Sequence, residues 1–143
     1  MTRTLRSRSV LAAAAVGVAA LSVGAYGASA ATVQVHGPTH PKVNKNFKVR
    51  ADGHTGKRRV LQVTIHRHGK CKSTYGDDKA SGSYIAFSRF VGPGDYNEKR
   101  GGLHFTAKTN GHYCAYLGNP NDLTTDPPVA RDSKHFQVVF ASR

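Results

Sequence analysis

The sequence has no tryptophan, only two cysteines and only eight acidic side chains in 143 residues. Its acids do not form a recognisable catalytic or calcium-binding arrangement. Asp95 and Glu98 fall in a predicted loop over residues 92–102, and Asp122 and Asp126 lack the D-x-[DN]-x-[DN]-G spacing of a calcium loop. The G-x-S-x-G nucleophile motif and glycine-rich phosphate cradles are missing as well. These absences argue against a glycosidase, a protease or a nucleotide-dependent enzyme.

Long apolar runs are also missing, with one exception at the N-terminus. Three arginines in the first nine residues precede an apolar run over residues 10–23, and Ala28-Ser29-Ala30 ends the segment. This order predicts a secretory signal peptide over residues 1–30. The alternative, a membrane anchor, needs about 20 apolar residues. We therefore expect the mature chain, residues 31–143, to lack a transmembrane segment and to be secreted, extracellular or associated with the cell wall.

Positive charge is in excess over negative charge. Removal of the signal peptide leaves 18 basic against 8 acidic side chains, a net charge of +10. The candidate polyanion-binding residues fall in short clusters: Lys48, Arg50, Lys57, Arg58, Arg59, Arg67, Lys70 and Lys72. Such clusters favour a phosphate- or sulfate-bearing partner, such as an anionic wall polymer or a polysaccharide. The alternatives are an ordinary solvated surface and a protein partner.

Nucleic acid is a less favoured partner for the same residues. Single-stranded nucleic acids need aromatic side chains among the basic ones, on which the bases stack. Here the phenylalanines follow the phase expected for a core. Nucleic-acid binding would therefore depend on charge alone.

The mature chain alternates apolar and polar residues with a period of two, which is typical of strands with one buried face. Five segments show this pattern clearly: 33–35, 47–51, 61–65, 103–107 and 136–140. Two further segments are less regular. Residues 84–91 place Phe90 out of phase, which indicates a bulge or two covered faces, and residues 112–117 place Cys114 and Tyr116 opposite Tyr113.

Turn formers such as Gly92-Pro93-Gly94 and Asn110-Gly111 separate these segments, and a second long loop is predicted over residues 118–133. A helical apolar stripe is not evident. Seven short strands in a chain of this length predict an all-β sandwich.

The segment Asn110-Gly111-His112-Tyr113 resembles the approach to the sixth strand of immunoglobulin-like domains, and residues 113–117 are similar to a strand of small secreted immunoglobulin-like domains of actinobacteria. The resemblance implies a sandwich of about seven antiparallel strands, in which the hydroxyl of Tyr113 pins the corner between the fifth and sixth strands. It also implies a binding or structural module without catalytic residues or a cofactor.

An even number of cysteines in a secreted chain favours a disulfide, with a thiol metal site or a reactive thiol as alternatives. In an immunoglobulin-like topology the third and sixth strands are antiparallel neighbours. This order implies a Cys71–Cys114 bridge within one sheet, with Cys114 on the outer face. We expect the bridge to contribute stability without altering a binding surface.

Histidine is abundant, with eight residues in the chain. His66 and His68 have the spacing that places two imidazoles on one strand face, and the same topology brings His112 near them. These three residues are a candidate zinc or copper site, and solvated histidines are the alternative. The sequence therefore favours a secreted, non-catalytic binding module, with a metal-binding protein as the second hypothesis and a small secreted enzyme as the third.

Overall fold

The computed structural model describes residues 30–121 and 127–141, and these residues form two antiparallel sheets packed face to face. One sheet has the strand order β1-β2-β5 and the other β4-β3-β6-β7. The elements are β1 (Thr32–His36), β2 (Phe47–Thr55), β3 (Arg59–Arg67), α1 (Tyr75–Ala80), β4 (Tyr84–Val91), β5 (Gly94–Leu103), β6 (Asn110–Gly118) and β7 (Ala130–Gln137). This is the predicted immunoglobulin-like β-sandwich of seven strands.

The core lies between the sheets and is built from the alternation seen in the sequence. Its aliphatic residues are fully or almost fully buried, as in Val49 and Ala51 of β2 and Leu61, Val63 and Ile65 of β3. The predicted phase of β6 is confirmed, because Tyr113 belongs to this core while Cys114 and Tyr116 form a second buried cluster on the outer face of the four-stranded sheet.

Tyr113 does not have the role that the resemblance implied. Its hydroxyl donates a hydrogen bond to the carbonyl oxygen of Pro38 at 2.9 Å, so it fixes the chain just after β1 and not the corner before β6. Burial of the ring raises the pKa of Tyr113, and the neighbouring Tyr84 raises it further. The hydroxyl therefore stays protonated and remains a donor.

The fifth strand was predicted in the wrong place. β5 spans Gly94–Leu103, where a loop was expected, and residues 104–107 are not part of a strand although Phe105 is buried in the core. β5 is the edge strand of the smaller sheet, and Tyr96 is its only fully core-facing apolar residue. An edge strand with so little apolar surface lacks the alternation by which strands are recognised.

Three smaller differences concern the four-stranded sheet and the residues after it. The register between β3 and β4 shifts between Val63 and Thr64, which confirms an irregularity in β4; on either side of it Ile85 is 42% exposed and Phe87 is buried, although their spacing in the sequence favours one face for both. β7 begins at Ala130, inside the loop predicted over residues 118–133. Phe140, expected in the core, is 67% exposed because the strand ends at Gln137.

The short helix α1 was not predicted. Thr74 caps its first turn by accepting a hydrogen bond from the backbone N–H of Asp77, and only Tyr75 and Asp78 are buried. A helix of six residues is too short to display an apolar stripe.

Of the predicted signal peptide, residues 1–29 lie outside the described part of the chain. Within the described ranges, no helix has the length and apolarity needed to span a bilayer.

Candidate anion-binding groove

The outer face of β6 holds the chain that follows β3. His112, Cys114 and Tyr116 are alternate residues of β6, and each is tied to one residue of the segment 69–72. The Nδ1 of His112 donates a hydrogen bond to the carbonyl oxygen of Gly69 at 2.8 Å. The hydroxyl of Tyr116 donates a hydrogen bond to the carbonyl oxygen of Lys72 at 3.0 Å. Three consecutive outward side chains of one strand therefore fix this covering segment.

The middle tie is the disulfide that the sequence predicted. Cys71 and Cys114 are bonded, with a Cα–Cα separation of 5.7 Å. Cys114 lies on the outer face of β6, opposite Thr64 of the neighbouring strand β3. Cys71 itself lies beyond β3, so the bridge joins a strand to the covering segment and not two strands.

A buried carboxylate supports the covering segment from below. Asp78 of α1 is fully buried and accepts hydrogen bonds from the hydroxyl of Thr64 at 2.6 Å and, at 3.4 Å, from the backbone N–H of Lys72. Burial, and secondarily the charge of Asp78, raises the pKa of Tyr116. The Tyr116 hydroxyl therefore remains a donor to Lys72 at all ordinary pH values.

Between the covering segment and β7 lies a groove of about 350 Å³. Its walls carry three cationic side chains, Lys70, Lys72 and Arg131, together with the imidazole of His112. We call these four residues the basic groove. Arg131 also donates to the carbonyl oxygen of Lys72 at 3.3 Å, which draws the two walls together.

One carboxylate lines the same groove. Asp132 directs an oxygen to the backbone N–H of Val35 in β1, from which it accepts a hydrogen bond at 2.8 Å. Three permanent positive charges therefore face one carboxylate that is already engaged by the other sheet. An arrangement of this kind attracts an anion.

Ion pairing elsewhere does not neutralise the basic residues. Within residues 30–121 and 127–141, the two close contacts between a basic side chain and a carboxylate are histidine hydrogen bonds: His36 with Asp52 at 2.5 Å and His54 with Asp95 at 2.6 Å. No described lysine or arginine lies within 4.0 Å of a carboxylate of the described residues. Among the described residues, the lysines and arginines are therefore not neutralised by ion pairs.

The predicted polyanion-binding residues do not form one surface. Lys70 and Lys72 line the basic groove, whereas Lys48 and Arg50 lie on β2 in the other sheet. Lys57 and Arg58 lie in the turn between β2 and β3, and Arg59 is the first residue of β3. The turn residue Arg58 covers the ring of Phe90 at 4.2 Å, Arg59 donates to Asn119, and Arg67 lies over Tyr84 at 5.7 Å.

Arg131 is a groove residue that the sequence did not predict, because it falls in the loop expected over residues 118–133. Arg131, Ser133 and His135 alternate in β7 ahead of the predicted strand. Extending that strand toward the N-terminus would have placed Arg131 on the outer face.

The three-histidine metal centre predicted from His66, His68 and His112 is not assembled. β3 ends at Arg67 and His68 has a φ of 63°, so the alternation that would place His68 on the face of His66 stops. His66 is not solvated but 7% exposed, and its Nε2 donates to the hydroxyl of Ser81 at 2.8 Å. Across the described residues, no three His, Cys, Asp or Glu side chains are arranged to hold a metal ion.

Comparisons by sequence give no relative: no protein-family model matches the chain, and no curated protein matches it. Comparison by structure gives the CARDB domain of the PF1109 protein from Pyrococcus furiosus, crystallised in complex with di-metal ions. That domain is 14% identical with a TM-score of 0.53, over 78% of this chain and 89% of that one. A solution structure of the same domain gives a TM-score of 0.54 at 14% identity, over 78% of this chain and 96% of that one.

A PKD domain of an M14-like peptidase from a Thermoplasmatales archaeon is also similar, with a TM-score of 0.39 and 11% identity over 80% of this chain and 99% of that one. At 14% identity the likeness to the CARDB domain concerns the fold alone. The chain has the immunoglobulin-like β-sandwich fold.

Proposed function

We propose that the mature chain is a secreted, non-catalytic immunoglobulin-like module, of the kind seen in actinobacteria, that binds a linear extracellular polymer bearing phosphate or sulfate groups. The polymer is held in the basic groove. The observation that carries this proposal is the excess of positive charge there: Lys70, Lys72 and Arg131 line one concave surface with the single carboxylate of Asp132, and none of the three forms an ion pair with a carboxylate of the described residues.

The energetics of the groove support an anionic ligand. Repulsion between like charges in the groove destabilises the folded state, and an anion that binds only the folded state stabilises it again. Polymer binding also releases the counterions condensed on the polymer, which adds a salt-dependent gain in free energy.

The aromatic side chains support a glycan or wall polymer over a nucleic acid. Tyr116, the aromatic residue that lines the groove, is 1% exposed, and the exposed rings of Phe90 and Phe140 lie outside the groove. The groove therefore offers no exposed aromatic ring on which a nucleic-acid base could stack.

Chromatography of the mature protein on heparin tests the proposal, together with sedimentation against isolated cell envelope. We expect retention at about 50 mM salt, the low end of the range used for such comparisons, and elution as salt rises. Single-stranded oligo(dT) is the control ligand and should bind more weakly. Flow-through on heparin at this salt concentration, with no sedimentation, would contradict the proposal.

A further inference from the structure

A second cluster of cations lies on the opposite side of the sandwich. Val49 and Ala51 of β2 are fully buried, so Lys48 and Arg50 alternate onto the outer face of the three-stranded sheet. Lys99 is paired with Arg50 in the register of β2 and β5 and is exposed. We call Lys48, Arg50 and Lys99 the β2 cluster.

The β2 cluster is as poorly neutralised as the basic groove. On its other side Arg50 is paired with His36 of β1, so neither cross-strand neighbour of Arg50 is an acid. The nearest acid on this face, Asp52, accepts a hydrogen bond from the Nε2 of His36 at 2.5 Å. Within the described chain, none of the three cations lies within 4.0 Å of a carboxylate. Like charges directly opposite one another destabilise a sheet, and an anion across them would remove that cost.

The two clusters face opposite directions. One belongs to the outer face of the sheet β1-β2-β5 and the other to the outer face of β4-β3-β6-β7. The two sheets of a sandwich are about 10 Å apart, and both inner faces are occupied by the core. A short polymer segment therefore reaches one cluster and not both.

We infer that the protein is bivalent for anionic polymers and bridges two polymer chains, one on each face of the sandwich. This inference rests on the proposed function, because it assigns the same ligand class to both faces. Its consequence is a cross-linking activity: long polymers are joined into a network, whereas short ones bind without being joined.

The test uses three triple variants of equal charge. The groove variant is Lys70→Gln/Lys72→Gln/Arg131→Gln, and the β2 variant is Lys48→Gln/Arg50→Gln/Lys99→Gln. The matched control, Lys42→Gln/Lys45→Gln/Lys108→Gln, removes three exposed cations from the loops between strands. Circular dichroism verifies that each variant folds. If loss of the half-buried Arg50 prevents the β2 variant from folding, the double variant Lys48→Gln/Lys99→Gln replaces it.

Titration with a short, size-defined heparin oligosaccharide gives the stoichiometry. We expect two oligosaccharides per wild-type and control molecule and one for each face variant. With long-chain heparin, or with long-chain polyphosphate as the phosphate probe, light scattering should pass through a maximum at intermediate protein-to-polymer ratio for wild type and control. It should stay near baseline for both face variants.

The outcomes separate the inference from the proposed function. One oligosaccharide per wild-type molecule, or equal scattering by all three variants, would overturn bivalence while leaving polymer binding intact. Absence of any binding by the wild type would overturn the proposed function and the inference together.

Discussion

At the scale of single residues, glycines are decisive where two backbones meet. Gly111 of β6 is paired with Arg67 of β3, and a Cβ built on it would lie 1.9 Å from the carbonyl oxygen of His66. A backbone atom cannot move aside as a flexible side chain can. Gly101 is different, because its Cβ would meet only the end of the Lys48 side chain at 3.9 Å.

We predict that Gly111→Ala lowers the free energy of unfolding by about 1–3 kcal/mol or more, as overpacking does. Gly101→Ala is the matched control and should change it by less than about 1 kcal/mol. Urea denaturation of both variants measures the difference. Equal stability of the two variants would contradict the close approach of β3 and β6.

The Tyr116 hydroxyl is the second residue-scale feature, because it holds Lys72 at the groove. Tyr116→Phe keeps the buried ring and removes the donor to the Lys72 carbonyl oxygen. We predict a loss of about 0.5–1.5 kcal/mol in unfolding free energy, together with weaker binding to heparin. The half-buried Tyr84, substituted by Phe, is the control. Unchanged heparin affinity of Tyr116→Phe would show that this hydrogen bond does not position Lys72.

At the scale of elements, the covering segment 69–72 links the disulfide to the basic groove. The sequence predicted the Cys71–Cys114 bond but treated it as separate from any binding surface. In the structure Cys71 lines the groove between Lys70 and Lys72. If the basic groove binds the polymer as proposed, the bond that stabilises the fold also holds two of the three groove cations in place.

We predict that Cys71→Ser/Cys114→Ser lowers both stability and heparin affinity. The bridge has a sequence separation of 43, for which loop-closure entropy gives roughly 4 kcal/mol at most. Thermal melting and heparin elution measure the two effects in the same preparation. A variant that melts earlier but elutes at the wild-type salt concentration would contradict the link between bridge and groove.

The elements also show how far the sequence could predict the structure. β3 and β6 were predictable because they are central strands, and Leu61, Val63 and Tyr113 alternate with outward residues. β5 was not, because an edge strand needs little apolar surface. The basic groove was half predictable: Lys70 and Lys72 are close in sequence, whereas Arg131 joins them only through the pairing of β6 with β7.

Across the whole molecule, cations lie on both outer faces of the sandwich: Lys70, Lys72 and Arg131 line the groove on one face, and Lys48 and Lys99 are exposed on the other. We therefore expect binding to follow the position of these cations and not the net charge of the molecule.

The most direct test of the central claim is the salt dependence of binding to a heparin oligosaccharide by the β2 variant, in which only the groove site remains, compared with the same variant carrying in addition either the three groove substitutions or the three loop-lysine substitutions. The slope of log K against log salt is negative. Removing one cation that binds a sulfate group lowers its magnitude by roughly 0.7–0.9, by analogy with nucleic acids. We predict that the added groove substitutions lower the magnitude of the slope by about 2–3 and that the added loop-lysine substitutions lower it by less than about 1. Equal slopes for the two variants would contradict the account, because binding would then follow net charge and not the basic groove.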